Sequence, residues 1–521
     1  MWANRSGIQP ETVREIALAW SLALPAAMGL TSRLDWLTSL FTGQRPRLPG
    51  APAMHRSIDP TAERALAINL DPDVYGTFAE IGAGQEVARW FFSVGGAAGT
   101  VAKTMSAYDM TFSDAIYGKA PRYVSRERVG EMSDHEFGLL RERLDHVRGE
   151  RTRFFAFANT VAARSFSGGT DCHGWVAIRF QHAFRAEPSD LVLHLRLLDP
   201  TNPLQQEAVG RLGVNVVHAA LVHWRDPARM IDKLLDEIGP ERIEIDWLAV
   251  HGPAFPAADN RLLSLGLVHR GYTPAVLFDA AGQPALAAEA VRKKCLLVER
   301  GRFAPVTRLN LEMLERANAA FAADGAADIA ELLEISTASL RGGPREADAD
   351  FLDRVELIAA AGKMVLVSSL GAFHELAGYL AARHVSRTGF VLGVPLVRAV
   401  FDERHYAGLD GGILEAFGRL FAHAARLYVH PTRDPLDGRV VTLANLRVAP
   451  HLAHLLDHLR ANGLVRGLDC DPETLRTYSS DEVRDRLCSG DPTWRELVTP
   501  EVAAAISARG AFGSRCDLPA R

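Results

Sequence analysis

From Leu191 to Leu198 the chain reads Leu-Val-Leu-His-Leu-Arg-Leu-Leu, closed by Asp199-Pro200. Leucine recurs at every second position, so this stretch predicts a strand. Similar patterns predict strands at 154–158, 175–180, 242–250, 275–278, 294–299, 363–369, 389–394 and 427–430. The polar, Gly-flanked loop Phe166 to Gly174 joins the first two as a hairpin or strand-loop-strand unit. Apolar residues spaced about 3.6 apart predict helices. One starts near Ser125, where Val129, Met132, Phe137, Leu140 and Leu144 share a face. Others fall at 204–213, 227–238, 260–267, 285–291, 309–322, 371–383, 414–425 and 451–462, with shorter pieces at 480–487 and 500–508. Residues 324–348, rich in Ala, Gly and acids, read as a surface helix followed by a loop.

From about Gln205 onward strand and helix alternate with short connections. That pattern implies an α/β fold: a mostly parallel sheet flanked by helices. The N-terminal part differs. Asn69 to Gly118 holds two glycine clusters, Gly82-Ala83-Gly84 and Gly95-Gly96-Ala97-Ala98-Gly99, each followed by residues suited to opening a helix. Val74 to Phe92 reads as mostly helical beyond Gly84, so a Gly-rich helical N-terminal region is expected. The resulting division is 1–62 leader and linker, poorly ordered; 63–150 Gly-rich helical region; 151–345 α/β region; 346–521 second α/β block with a helical tail. Within the leader, Ile16 to Leu30 is apolar but short for a membrane span, and Gly43 to Pro60 has the composition of a linker.

Composition narrows the function classes. With 521 residues the chain exceeds one ordinary core. A net charge of -5 gives no electrostatic reason to expect nucleic acid or an anionic membrane as partner. The five cysteines, Cys172, Cys295, Cys470, Cys488 and Cys516, are scattered without a CxxC pair. They argue against a disulfide framework or structural zinc and fit a reducing cytoplasm.

The stretches NLDPDVYGTFAEIGAGQEVARWFF, GTVAKTMSAYDMTFSDAIYG and LDPTNPLQQEAVGRLGVNVVH resemble a family of uncharacterised bacterial proteins. Its members carry the labels nicotinate-nucleotide adenylyltransferase or TonB-dependent receptor. The resemblance covers most of the chain after about residue 65. The first label implies an H/T-x-G-H motif, which the chain lacks. The second implies a large barrel of alternating strands, at odds with the βα alternation. Neither label supplies a catalytic residue.

Candidate chemistry comes from the residues themselves. Gly95, Gly96, Gly99, Thr100, Lys103 and Thr104 form a candidate phosphate cradle, in which glycine frees backbone amides near a helix start and Lys103 adds charge. The spacing is neither Walker A nor G-x-G-x-x-G, and the alternative is a glycine-packed turn. His173, with Asp171 and Cys172, offers an acid-base and nucleophile set on a loop; Asp109 offers a further carboxylate. Each has a bland alternative as a turn or cap residue. Glu80, Gln85, Glu86, Asn202, Gln205 and Gln206 are candidate substrate contacts by paired hydrogen bonds, or else caps. Ser368, Ser369 and His374-Glu375 stand where a strand ends and a helix starts, without a G-x-S-x-G elbow. Metal and cofactor are left unassigned. Together these features point to a soluble cytoplasmic enzyme acting on a nucleotide or other phosphorylated small metabolite. The alternative is a non-catalytic scaffold using the Gly-rich segment as a partner surface. A polar cleft where the glycine clusters meet the sheet's carboxyl edge would favour the enzyme.

Overall fold

Leucines 191, 193, 195 and 197 all point into one core, as their spacing requires. The computed structural model describes residues 59–164, 171–340, 344–434, 437–471, 473, 475–476 and 478–512. The leader up to residue 58 and the glycines of the Phe166–Gly174 loop up to residue 170 lie outside the described residues. The described chain belongs to one unit, Asp59–Arg521, containing two large sheets.

The first sheet comprises β1 (Val74–Gly82), β2 (Val101–Ser106), β3 (Arg153–Ala162), β4 (His173–Phe180), β5 (Ser189–Leu197) and β6 (Ile243–His251), in the order β2-β1-β3-β4-β5-β6. β2, β1 and β3 run parallel; β3 to β6 alternate in direction. Helices α1 (Pro60–Asn69), α2 (Val87–Ser93), α3 (Met110–Tyr117), α4 (Arg126–Arg148) and α5 (Asn202–His223) cover it. α1, α2 and α5 share a core with Phe78, Phe155 and Phe157. α3 and α4 cover the opposite face, where Tyr117, Val129 and Met132 meet Trp175 and Trp247. Each fully buried phenylalanine contributes roughly 1.5–3 kcal/mol.

The second sheet comprises β7 (Ala275–Phe278), β8 (Pro284–Ala285), β9 (Cys295–Arg300), β10 (Ile329–Ser336), β11 (Met364–Ser368), β12 (Arg387–Gly393), β13 (Ala425–His430) and β14 (Val465–Gly467). Its order is β14-β13-β12-β9-β10-β11-β7-β8, parallel from β14 through β11. The crossovers use α6 (Arg308–Ala323) and α7 (Pro344–Ala360) on one face, and α8 (Phe373–Ala381) on the other. The chain therefore builds outward from β9 to β11, then returns through α8 to β12 on β9's other side. The fold is α/β, with mostly parallel strands flanked by helices.

Four sequence expectations are revised. Val74–Gly82 is a central strand, not a lead-in to a helix; Gly76 and the buried Glu80 break its apolar pattern. The residues after Gly99 form β2 rather than a helix, and β1 and β2 share a sheet with β3, so the chain crosses residue 150 within one sheet. Residues 329–336, expected as surface structure, are the central strand β10. Its Glu334 is fully buried and neutralised by Arg300, 2.6 Å away, which a hydropathy pattern cannot register. The first helix starts at Pro60, so its first three residues fall inside the expected leader, and it is capped by Asp59. Cys295 and Cys470 are free thiols, whereas Cys488 is in a disulfide.

Candidate functional site

The carboxyl ends of β1, β2 and β3 and the neighbouring edge of β4 to β6 line up on one rim of the first sheet. Two clefts open there and share Tyr123 and Val124 as a common wall. Tyr123 is fixed by its hydroxyl donating to Asp114 at 3.1 Å, while its carbonyl accepts from the Thr160 hydroxyl at 2.6 Å.

The first cleft, about 640 Å³, lies over the turn that ends β1. Gly82 takes φ +74°, and a Cβ there would stand 2.3 Å from the Val161 carbonyl. Only glycine makes this turn cheaply. Gln85, Glu86, Asp109, Asn202 and Gln206 line the cleft together with Arg164 and Tyr108. The structure thus brings together five residues from distant parts of the sequence that were expected to contact substrate or act on it. Ser113 also lines it, with a buried hydroxyl that has no hydrogen-bond partner. Asp109 is in addition the cap of α3, accepting the Phe112 amide at 2.8 Å.

Two of the expected contacts serve the scaffold instead. Glu80 is buried beneath α2 and accepts the Val87 and Ala88 amides at 2.9 and 3.2 Å. Burial pushes its carboxyl up to about 7, against those amide bonds. Gln205 spends its side chain on the Arg164 amide and the Asp199 carbonyl, both at 2.8 Å.

The expected phosphate cradle does not assemble. Gly95 and Gly96 adopt φ +84° and +76° to turn the chain from α2 into β2, at the amino end of that strand. Asn69 seals the turn by donating to the Phe91 and Gly95 carbonyls at 2.8 and 2.7 Å. Gly99 lies in the same turn, and Thr100 donates to the Asn69 carbonyl at 3.1 Å. Lys103 and Thr104 sit on β2, and the Lys103 ammonium pairs with Glu136 at 2.6 Å. With a strand following the glycines there is no helix N-terminus to hold an anion.

The second cleft, about 610 Å³, contains His173. β4, β5 and β6 are antiparallel neighbours, so same-face residues stack across them. His173, His194 and Asp246 form a chain: His173 Nδ1 is 3.1 Å from His194 Nε2, and His194 Nδ1 is 2.5 Å from Asp246 Oδ1. His194 and Asp246 are buried, and the His194 ring meets Trp175 edge to face. Burial raises the Asp246 carboxyl, but His194 and the nearby Arg383 and Arg196 outweigh it and keep the group below its ordinary value. An ionised Asp246 requires a proton on His194 Nδ1. When His194 Nε2 accepts from His173 Nδ1–H, His173 Nε2 is left with a free lone pair. Burial, with the neighbouring His194, lowers the His173 pKa and keeps it neutral at pH 7.

The cleft's other walls carry charge. Arg122, Arg196, Arg292 and Lys293 line it, against the carboxylates Asp171 and Glu289. Arg292 lies 3.7 Å from Asp171, and Arg122 pairs with Glu289 at 2.9 Å. Arg196 pairs with Glu244 at 3.5 Å, so Lys293 is the one lining cation in excess, and the cleft leans toward anions. Of the expected catalytic set, His173 and Asp171 meet here. Cys172 points the other way into the core beneath α5, as alternation along a strand dictates, and Asp109 faces the first cleft. Sequence reasoning passed over His194, Asp246 and Arg196. They fall at the alternate, polar positions of β5 and β6, which the pattern reads as solvent-facing until α3 and α4 cover that face.

No helix among the described residues is long and apolar enough to cross a membrane, and none of their His, Cys, Asp and Glu side chains form a cluster suited to a metal. No protein-family model and no curated protein matches the chain. Solved structures do show similarity. A competence-damaged protein (CinA) superfamily member from Klebsiella pneumoniae is 15% identical, with a TM-score of 0.25 over 32% of this chain and 98% of its own. A competence/damage inducible protein from Agrobacterium tumefaciens is 18% identical, with a TM-score of 0.24 over 31% of this chain and 96% of its own.

Proposed function

We propose that the protein is a soluble, cytoplasmic enzyme acting on a nucleotide or other phosphorylated small metabolite, with His173 as its proton-transfer group. The observation that carries this reading is the His173–His194–Asp246 chain opening onto a cleft walled by Arg122, Arg196, Arg292 and Lys293, of which Lys293 is not matched by a carboxylate. Such a chain fixes the imidazole tautomer and stabilises the imidazolium formed when His173 takes a proton. The cations supply the anion site that the glycine turn does not. The adjoining first cleft, with Gln85, Asn202 and Gln206, supplies amide groups for the uncharged part of a substrate. The free thiols of Cys295 and Cys470 support the cytoplasmic location, and the Cys488 disulfide counts against it. Calorimetry with a panel of nucleotides and sugar phosphates, followed by mass-spectrometric turnover assays on those that bind, tests the reading. Binding that is weakened by Arg292→Ala, and turnover that is lost in His173→Ala, are expected. Failure of every phosphorylated compound to bind rejects it.

One observation favours the scaffold reading. Tyr108, Met110 and Phe112 stand exposed beside the first cleft, Tyr108 at 82%. A triple Ser variant that loses a cellular partner yet keeps all metabolite binding would support that alternative.

A further inference from the structure

The second sheet has its own crevice, separate from both clefts above. In a parallel sheet built outward from the middle, the two strands where chain direction reverses leave a gap between their following segments, beyond their carboxyl ends. Here those strands are β9 and β12. A cavity of about 570 Å³ opens at that point, lined by Arg300 at the end of β9, residues 371–375 leading into α8, and the helix Val394–Val400 after β12.

Its chemistry is specific. Phe373, Leu396, Val400, Tyr406 and Leu409 give it a mainly apolar wall. Arg300 stacks over Phe373, 4.8 Å from its centroid. The guanidinium donates Nε–H and one Nη2–H to Glu334, the second Nη2–H to the Leu370 carbonyl, and one Nη1–H to the Gly371 carbonyl. A guanidinium has five N–H groups, so one Nη1–H is left over. His374 also lines the cavity, and its Nδ1 is buried without a hydrogen-bond partner. A buried ring nitrogen with no partner carries a desolvation cost that a ligand would remove. Ser368, the other half of a conceivable Ser-His pair, donates to Glu334, so no nucleophile faces this cavity.

We infer that this crevice is a second small-molecule site, taking a carboxylate with an apolar body, aromatic or branched aliphatic. The leftover Arg300 N–H and His374 Nδ1 hold the carboxylate oxygens, and the apolar wall holds the body. The single free guanidinium donor and the apolar lining suit a monoanion rather than a phosphate dianion. Glu375, the carboxylate at the rim, accepts the Ala372 amide at 2.9 Å and is exposed to solvent, which screens its pull on an amine.

The test uses the full chain, with benzoate, 3-methylbutanoate, benzylamine and inorganic phosphate as probes in saturation-transfer NMR and calorimetry. Benzoate or 3-methylbutanoate should bind at millimolar concentration, and benzylamine and phosphate should not compete. His374→Ala should weaken binding at least about fivefold. Leu396→Trp, which fills the cavity without touching a buried polar group, should abolish it, and His173→Ala should leave it unchanged. Absence of carboxylate binding to the folded wild type overturns the inference. So does binding that survives both crevice variants, or preference for benzylamine or phosphate.

Discussion

His173 Nδ1 lies 3.1 Å from His194 Nε2, and the two residues belong to adjacent antiparallel strands whose register pairs His173 with Arg196 and sets His194 diagonally across from it on the same face. His194 is in turn held by Asp246 from the next strand. Backbone pairing, rather than a flexible loop, thus sets the orientation of the proposed acid-base group. Its precision is that of the sheet.

Asp246→Asn should preserve the fold while reversing the tautomer preference along this chain. A loss of about 10²–10⁴-fold in turnover is expected, comparable with His173→Ala. Thermal unfolding should show only a small shift for the Asn variant. Equal activity in wild type and Asp246→Asn would remove Asp246 from any role in orientation.

The pH dependence has a defined sign. Burial holds His173 below the ordinary histidine pKa of 6.5, so its basic form predominates at neutral pH. kcat/KM should therefore rise with pH along a limb whose midpoint lies below 6.5. His173→Ala should erase that limb from whatever activity remains.

Anion binding should depend on Arg292, but modestly. Its side chain is 44% exposed and shares Asp171, so solvent screening limits the effect. Arg292→Ala should weaken a phosphorylated ligand by about 1 kcal/mol, and added salt should shrink the difference. Lys103→Ala, by contrast, should leave ligand affinity untouched. It removes the ion-pair partner of the buried Glu136, and a stability loss of roughly 1 kcal/mol is expected by chemical denaturation.

Glu299 gives a stability prediction independent of function. Burial pushes its carboxyl up to about 8 from an ordinary 4.5. The folded state binds this proton more tightly than the unfolded chain, so the group's stabilising contribution is complete below pH 4.5 and is lost as pH rises to about 8. One carboxyl oxygen has no partner and the other accepts from Asn310 at 2.6 Å. Glu299→Gln should raise the melting temperature at pH 8, and the gain should fade toward pH 5. A gain that is constant with pH would show that Glu299 does not titrate in this range.

Hydrophobic alternation made β3 to β6 and most of the second sheet legible, because their apolar residues outnumber the polar ones facing the core. It failed at β1 and β10, where Glu80 is buried on the Val87 and Ala88 amides and Glu334 is buried and neutralised by Arg300. The same limit governs the site. Gln85, Glu86, Asp109, Asn202 and Gln206 were recognisable as polar residues near turns, and the fold gathers them in one cleft. His173 was recognisable as an acid-base residue, but its partners were not: pairing of β4 with β5 and of β5 with β6 creates the chain, and the sequence carries no local mark of strand register. The glycine turn misled because helix and strand can both follow positive-φ glycines.

Imidazole ¹⁵N NMR of the full chain, with His173 and His194 assigned through His→Gln variants, tests the central claim most directly. The account predicts His194 protonated at Nδ1, His173 titrating below 6.5, and both resonances responding to Asp246→Asn and to a bound phosphorylated metabolite. A His173 that titrates like a solvent-exposed histidine, indifferent to Asp246 and to every phosphorylated compound, would contradict it.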